Sequence, residues 1–201
     1  MFCCQVDNNT ELRLFQATDA SALHGLIEAN RAYLRRWHPW VDLIQTQADA
    51  ERFTAYWLLL NRENHALFAG IWFNHRFCGM LNFLNLDCLN RWAVLNYWLD
   101  ESHQGQGIMT ACCRALLNHA FHTLRLNRIT IECATENARS RAIPERLGFQ
   151  LEGVVRGVEW LHDHFADHAI YGMLRVDYPS SLRATPSDRR QLVAEAAAVP
   201  A

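Results

Sequence analysis

The stretch Asn96–Leu124, NYWLDESHQGQGIMTACCRALLNHAFHTL, decides how the chain is read. The residues leading into and opening it (Trp92, Val94, Leu95, Tyr97, Trp98, Leu99) are the aromatic and branched apolar run of a strand. Gln104-Gly105-Gln106-Gly107 follows as a two-glycine loop. Ile108, Cys112, Ala115, Leu116 and Ala120 then recur at the spacing of an amphipathic helix. Strand, glycine loop and helix N-terminus in that order make an anion cradle. Glycines let the backbone come close, and the first unpaired N–H groups of the helix face the guest with the helix dipole behind them. A phosphate or pyrophosphate is the natural occupant.

The glycine pattern narrows whose phosphate it is. A nucleotide-binding P-loop needs Lys-Ser or Lys-Thr after its second glycine, and Ile108-Met109 stand there instead. A dinucleotide fingerprint would end in a glycine at Thr110. The fragment Gln104-x-x-Gly107 before a helix resembles motif A of the GNAT acyl-CoA N-acyltransferases, with Met109 at a position where that family usually has Gly or Ala.

Outward from this stretch, Glu11–Phe15 alternates as a first strand, and Thr18-Asp19 is read as the cap of a helix running to about Leu34. An aromatic knot, Trp37-His38-Pro39-Trp40, interrupts it, and Pro39 argues against a continuous helix. Thr46 caps a second helix bearing Phe53, Trp57 and Leu60. Strand-like runs follow at Ala66–Phe73, Phe77–Leu86 and Arg91–Leu99, the first two joined by a turn at Asn74-His75-Arg76. After the central helix come a strand at Arg128–Cys133, a short helix at Ser140–Leu147, and strands at Phe149–Arg156 and Phe165–Val176. Beyond Pro179 the composition turns to Ser, Pro, Arg and Ala, with a marginal helix at Ser187–Ala198. The expected organisation is a single domain over 10–178 and a flexible tail over 179–201, of α/β (α+β) class with one mixed sheet.

Composition bounds the function. Half of the residues are hydrophobic and a fifth charged, the balance of a soluble globular protein, and the formal charge of −2 offers no surface for nucleic acid. No segment approaches the ~20 apolar residues of a membrane span, and MFCCQVDNN has neither a basic nor an apolar leader region, so no signal peptide is expected. The seven cysteines include two adjacent pairs and no C-x-x-C, which suits neither a zinc site nor a disulfide framework. A reducing, cytoplasmic setting is the expectation.

A second set of residues extends the resemblance. Glu136-Asn137-Ala138-Arg139-Ser140, then Arg146-Leu147-Gly148-Phe149 and Glu152-Gly153, resemble motif B of the RimJ/RimL branch of that family, whose best-known members acetylate the N-termini of ribosomal proteins. Trp37/Pro39/Trp40, Glu159-Trp160-Leu161, and Asp167 with Tyr171 carry the likeness across about residues 10 to 176. The resemblance implies a GNAT fold, its sheet splayed between two parallel strands, here Arg91–Leu99 and Arg128–Cys133, and flanked by helices. It implies acetyl-CoA as co-substrate and no metal. Main-chain groups at Tyr97, Trp98 and Leu99 would hold the pantetheine, Gln104, Gly105, Gln106, Gly107, Ile108, Met109 and Thr110 the pyrophosphate, and Asn137 and Ser140 would face the thiol end. By the same resemblance Ser140 stabilises the departing thiolate and Glu159 deprotonates the amine, in direct transfer without an acetyl-enzyme. Trp37, Trp40, Trp160 and Tyr171 would be the acceptor-side residues, although the three tryptophans could equally be plain core.

Alternatives stay open at this point. Many GNAT enzymes carry a tyrosine acid four residues after the Ser140 position, whereas this chain has Pro144, which has no proton to give and removes the N–H that would bond the Ser140 carbonyl. Either the first helical turn is irregular there or the helix begins later. Ser140 could be only an N-cap, and Glu159 only a solvated strand-end residue. His162, His164 and His168 with Asp163 and Asp167 could bind a divalent metal, but they straddle a turn and a strand. The acceptor by family default is a protein α-amine, ribosomal in particular. A small amine-bearing metabolite or aminoacyl-nucleotide is the alternative within the enzyme class, and a catalytically silent acyl-CoA-binding module the alternative outside it. A homodimer is left open.

Overall fold

The computed structural model describes residues 2–179; apart from Pro179, the tail expected over 179–201 and its marginal helix lie outside the described residues. Eight strands form one sheet in the order β1-β2-β3-β4-β5-β6-β8-β7. They are β1 (Cys3–Gln5), β2 (Thr10–Leu14), β3 (Leu67–Phe73), β4 (Arg76–Asp87), β5 (Trp92–Leu99), β6 (Arg128–Ala134), β7 (Gln150–Leu161) and β8 (His164–Leu174). Four α-helices, α1 (Ala20–Arg35), α2 (Gln47–Arg62), α3 (Ile108–His122) and α4 (Ala138–Leu147), cover it. Among the described residues no helix is long and apolar enough to cross a membrane.

Strand alternation builds two cores. On β3, Leu67, Ala69 and Ile71 face one side while Phe68 and Trp72 face the other. The first side meets α3 through Ile108, Met109, Cys112, Cys113, Leu116, Leu117, Ala120 and Phe121, all buried. The second meets Leu23, Ile27 and Leu34 of α1. With both faces covered, β3 reads as a continuous apolar run rather than an alternating one. Cys78, Cys112, Cys113 and Cys133 are buried thiols that fill these cores.

Several local expectations are revised. The carboxylate of Asp19 does not cap α1; it accepts from the Gln16 N–H and from Arg13, closing a 3-10 turn over Ala17–Asp19 ahead of the helix. Arg76 belongs to β4, because the β3–β4 hairpin is closed by two residues alone, Asn74 and His75, both at positive φ (48° and 62°). That pair of angles matches the right-handed twist of the flanking strands. β1 adds a strand ahead of residue 10, pairing Cys3–Gln5 with Glu11–Arg13; three residues with no apolar alternation carry no strand signal. β7 runs on to Leu161. The capping of α2 is as read, with Thr46 and Asp49 forming a reciprocal capping box.

Pro144 sits inside α4, and neither irregularity foreseen for it occurs: the helix is continuous from Ala138. Its N-cap is Asn137, whose side-chain oxygen accepts from the Ser140 N–H at 3.1 Å. The Ser140 carbonyl that Pro144 leaves without an amide partner accepts instead from the Tyr97 hydroxyl at 3.0 Å. Tyr97→Phe is therefore expected to destabilise the fold by about 0.5–1.5 kcal/mol, the net contribution of a hydrogen bond to a part-buried carbonyl. Adding Pro144→Ala restores an N–H at that place and should return part of the loss. Urea denaturation of the two single variants and the double variant measures it, and additive losses would contradict the account.

Candidate active site

β5 and β6 are the one parallel pair of the sheet, and they pair only from Trp92↔Arg128 to Val94↔Thr130. Beyond Val94 the strands part, and both edges of the gap, Leu95–Leu99 and Ile131–Ala134, line a cavity of about 860 Å³. β5 keeps its hydrogen bonds to β4 as far as Leu99↔Gly79, and β6 keeps its own to β8 as far as Ala134↔His168. The gap thus exposes strand edges held rigid from behind, and an extended chain carrying amides can hydrogen-bond between them.

At one end of the gap lies the cradle. Gly105 and Gly107 have φ of 73° and 80°, the left-handed region, and Gly107 is the N-cap of α3. Having no side chain, it caps none of the first N–H groups of α3, which remain available to an anion. Met109, the departure from the small residue of motif A, turns its side chain into the core and is buried, so the loop keeps its shape. Two arginines of α4, which the sequence reading did not single out, stand over the same cavity: Arg139 donates to Gln104 Oε1 at 2.8 Å and Arg146 to Thr110 Oγ1 at 2.9 Å. Gln104 also donates to the Tyr33 hydroxyl, tying α1 to the loop. A doubly anionic pyrophosphate fits helix N–H groups faced by two guanidinium ions. His103 lines the cavity too, with Nδ1 2.7 Å from Asp100.

Tyr97, Trp98, Leu99, Gln104, Gly105, Gly107, Ile108, Met109, Thr110, Asn137 and Ser140 all line this one cavity. Gln106 does not; its side chain donates to the Ser102 carbonyl at 3.2 Å. Ser140 is the third residue of α4, so it is not the N-cap, and its hydroxyl lies 3.4 Å from that of Tyr97. Burial pushes the Tyr97 phenol well above its usual range, so it stays protonated as the donor to the Ser140 carbonyl. Cys133 lines the cavity as well, its thiol pushed up to about 11 by burial.

Trp37, His38, Glu159 and His168 also stand in the cavity wall. Trp37 packs against Ala134, Leu161 and Ala166. The other three aromatic candidates lie elsewhere. Trp40 is stacked on Phe53 (centroids 5.3 Å apart) in the α1–α2 core. Trp160 is half-exposed and meets Phe165 edge-on outside the cavity. Tyr171 is buried, accepting from Arg141 at 3.0 Å and donating to Glu145 at 2.8 Å. Alternation along β7 explains Trp160, since neighbours of Glu159 must point to the opposite face. The three histidines read as a possible metal cluster each have a different partner: His162 the Arg35 carbonyl, His164 Asp163, and His168 Glu159.

A parallel strand pair parted over an anion cradle, with a carboxylate in the same cavity, is the architecture of an acyl-CoA-dependent N-acyltransferase. The chain belongs to the GNAT acetyltransferase family: residues 9–150 match the acetyltransferase (GNAT) domain. It is 35% identical to YdaF of Bacillus subtilis (strain 168), a ribosomal N-acetyltransferase by name, over 89% of this chain and 98% of that one. It is 30% identical to the ribosomal-protein-serine acetyltransferase of Escherichia coli (strain K12), over 85% and 95% of the two chains. Among solved structures, RimL, the ribosomal L7/L12 α-N-protein acetyltransferase in complex with coenzyme A, superposes with a TM-score of 0.85 at 30% identity, covering 89% of this chain and all of that one. The protein is an N-acetyltransferase, and acetyl-CoA is its acyl donor.

Proposed function

We propose that the acceptor is the N-terminal α-amine of a protein, a ribosomal protein in particular, and that Glu159 and Ser140 carry the chemistry. The observation that supports this acceptor is a carboxylate, Glu159, in the cavity wall with Trp37, His38 and His168, in a chain 30% identical to a ribosomal-protein-serine acetyltransferase over 85% of its length. An ammonium calls for a carboxylate, and a chain end needs only room for its first side chain.

Acyl transfer to an amine asks for three things: a neutral nucleophile, a held carbonyl oxygen and a leaving thiolate that does not return. Glu159 takes the proton of the ammonium, directly or through a water. The open edge of β5 at Tyr97, Trp98 and Leu99 holds the donor and its thioester oxygen through main-chain groups. Ser140, loosely engaged with the Tyr97 hydroxyl at 3.4 Å, turns its O–H to the thiolate as the C–S bond breaks. Tyr97 supplies the neutral hydroxyl that keeps Ser140 in place. Arg139 and Arg146 hold the phosphates and leave the reacting end to the other residues.

Incubation with acetyl-CoA, a peptide bearing a free α-amine, the same peptide with that amine blocked, and a panel of small amines and aminoacyl-nucleotides tests the acceptor by mass spectrometry. One acetyl group on the free peptide and none on the blocked one is the expected result. Acetylation of the small amines with the peptide untouched would refute the protein acceptor.

A further inference from the structure

Glu159 is a long side chain near the end of a hairpin, and the structure shows what holds it. Along the β7–β8 ladder Val155 lies opposite His168 and Glu159 opposite Ala166, so Arg156–Val158 together face the single residue Asp167. This is a bulge with two extra residues in β7. Gly157 turns the strand there at a φ of 57°, and its N–H donates to Asp167 Oδ1 at 2.8 Å. Bulges of this kind bend a strand and re-aim the side chain that follows. Opposed residues share a face of the sheet, as do residues two apart on one strand, so Glu159 and His168 emerge on the same side across the bulge. Their side chains meet, His168 Nε2 lying 2.9 Å from Glu159 Oε2. An ionised carboxylate only accepts, so Nε2 carries the proton of this bond. His38, from the α1–α2 connection, also interacts electrostatically with Glu159; burial pulls its imidazole down to about 4 and leaves it neutral.

We infer that His168 is the positioning residue of Glu159, brought to it by the Asp167-pinned bulge: the imidazole N–H occupies Oε2 and leaves Oε1 directed at the acceptor amine. This rests on the reading of Glu159 as the base. A free glutamate samples several rotamers, and only some place an oxygen within reach of the amine. Fixing one oxygen removes that search and leaves the other free to take a proton. The hydrogen bond of His168 goes to Glu159 and not to the glycine loop, so its loss is expected to act on kcat and not on the binding of acetyl-CoA.

The test uses His168→Ala and His168→Gln, each alone and combined with Glu159→Gln, with steady-state kinetics on a peptide acceptor and calorimetry with coenzyme A. His168→Ala is expected to lower kcat by about 10- to 100-fold, the range of a misplaced catalytic group, with the affinity for coenzyme A unchanged. His168→Gln keeps an N–H donor near the Nε2 position and should recover most of the loss, which mere filling of space would not explain. In the Glu159→Gln background His168→Ala should add almost nothing, since the group it positions is gone. Wild-type kcat in His168→Ala, no recovery in His168→Gln, or fully additive losses in the double variant would each overturn the inference while leaving Glu159 as the base. Should His168→Ala fail to fold, His168→Met, which fills the space without a donor, takes its place against His168→Gln in both backgrounds. Wild-type activity in Glu159→Gln alone would instead remove the base, and this inference with it.

Discussion

Gly107→Glu is expected to abolish acetyl-CoA binding while leaving the fold intact. Gly107 is the N-cap of α3, and a Cβ built on it meets no atom within 4 Å, so steric exclusion by the protein is not the reason. Two other effects act. A side chain at a φ of 80° carries the left-handed penalty, about 1–2 kcal/mol, whatever its chemistry. The carboxylate then lies in front of the N–H groups of Ile108, Met109 and Thr110, where it satisfies the helix end with an anion of the protein's own and repels the pyrophosphate. Gly107→Ala separates the two, since it carries the backbone penalty without the charge. Calorimetry should show no heat of binding in the glutamate variant and a weakened but measurable affinity in the alanine variant. Unchanged affinity in Gly107→Glu would displace the pyrophosphate from this loop, and equal loss in both would make the effect one of backbone shape.

What could be read in the sequence was what depends on neighbours along the chain. The two glycines between a strand and a helix predict a cradle because the positive φ and the open N–H groups are local properties, and the cavity forms on that loop. Met109 looked like the loss of a small residue; whether it obstructs the loop depends on where its side chain goes, and the core takes it. Residues assigned by type alone were less legible. Trp40, Trp160 and Tyr171 are the aromatic residues an acceptor pocket would use, but stacking on Phe53, the face of β7 and the Arg141–Glu145 pair place them elsewhere. The roles that were not foreseen act across long separations. Tyr97 serves the Ser140 carbonyl from another element of the fold, Arg139 meets Gln104, and His168 meets Glu159 only because a bulge sets the register. His168 did appear in the sequence as one of three clustered histidines, weighed there as a metal site and set aside for want of common geometry; in the fold each has a different partner. Pro144 was legible as a missing N–H; that a phenol replaces it was not.

The roles proposed for Glu159 and Ser140 differ in how they should respond to pH, and that difference tests them together. An α-amine has a pKa of about 8 and is mostly protonated at neutral pH, so a base is needed there and becomes less necessary as the pH rises. Glu159→Gln keeps the shape of the side chain but cannot take the proton, and kcat should fall by the ~10²–10⁴ of lost acid–base catalysis. Raising the pH through the amine's own titration should return part of that loss, because the fraction of free amine grows without help from the protein. Ser140→Ala removes the O–H offered to the thiolate, so its kcat should fall as well, with no such recovery. Tyr97 does not take over, since its O–H is spent on the Ser140 carbonyl and burial holds its proton in place. Pro144 has none to give. Profiles of kcat against pH for the wild type and the two variants, with the affinity for coenzyme A measured alongside, separate the cases. Wild-type activity of Glu159→Gln at every pH would leave Glu159 as a strand residue bonded to His168 and move the base elsewhere. A loss in Ser140→Ala that recovers with pH in step with Glu159→Gln would place both residues on the amine side and leave the thiolate without its donor.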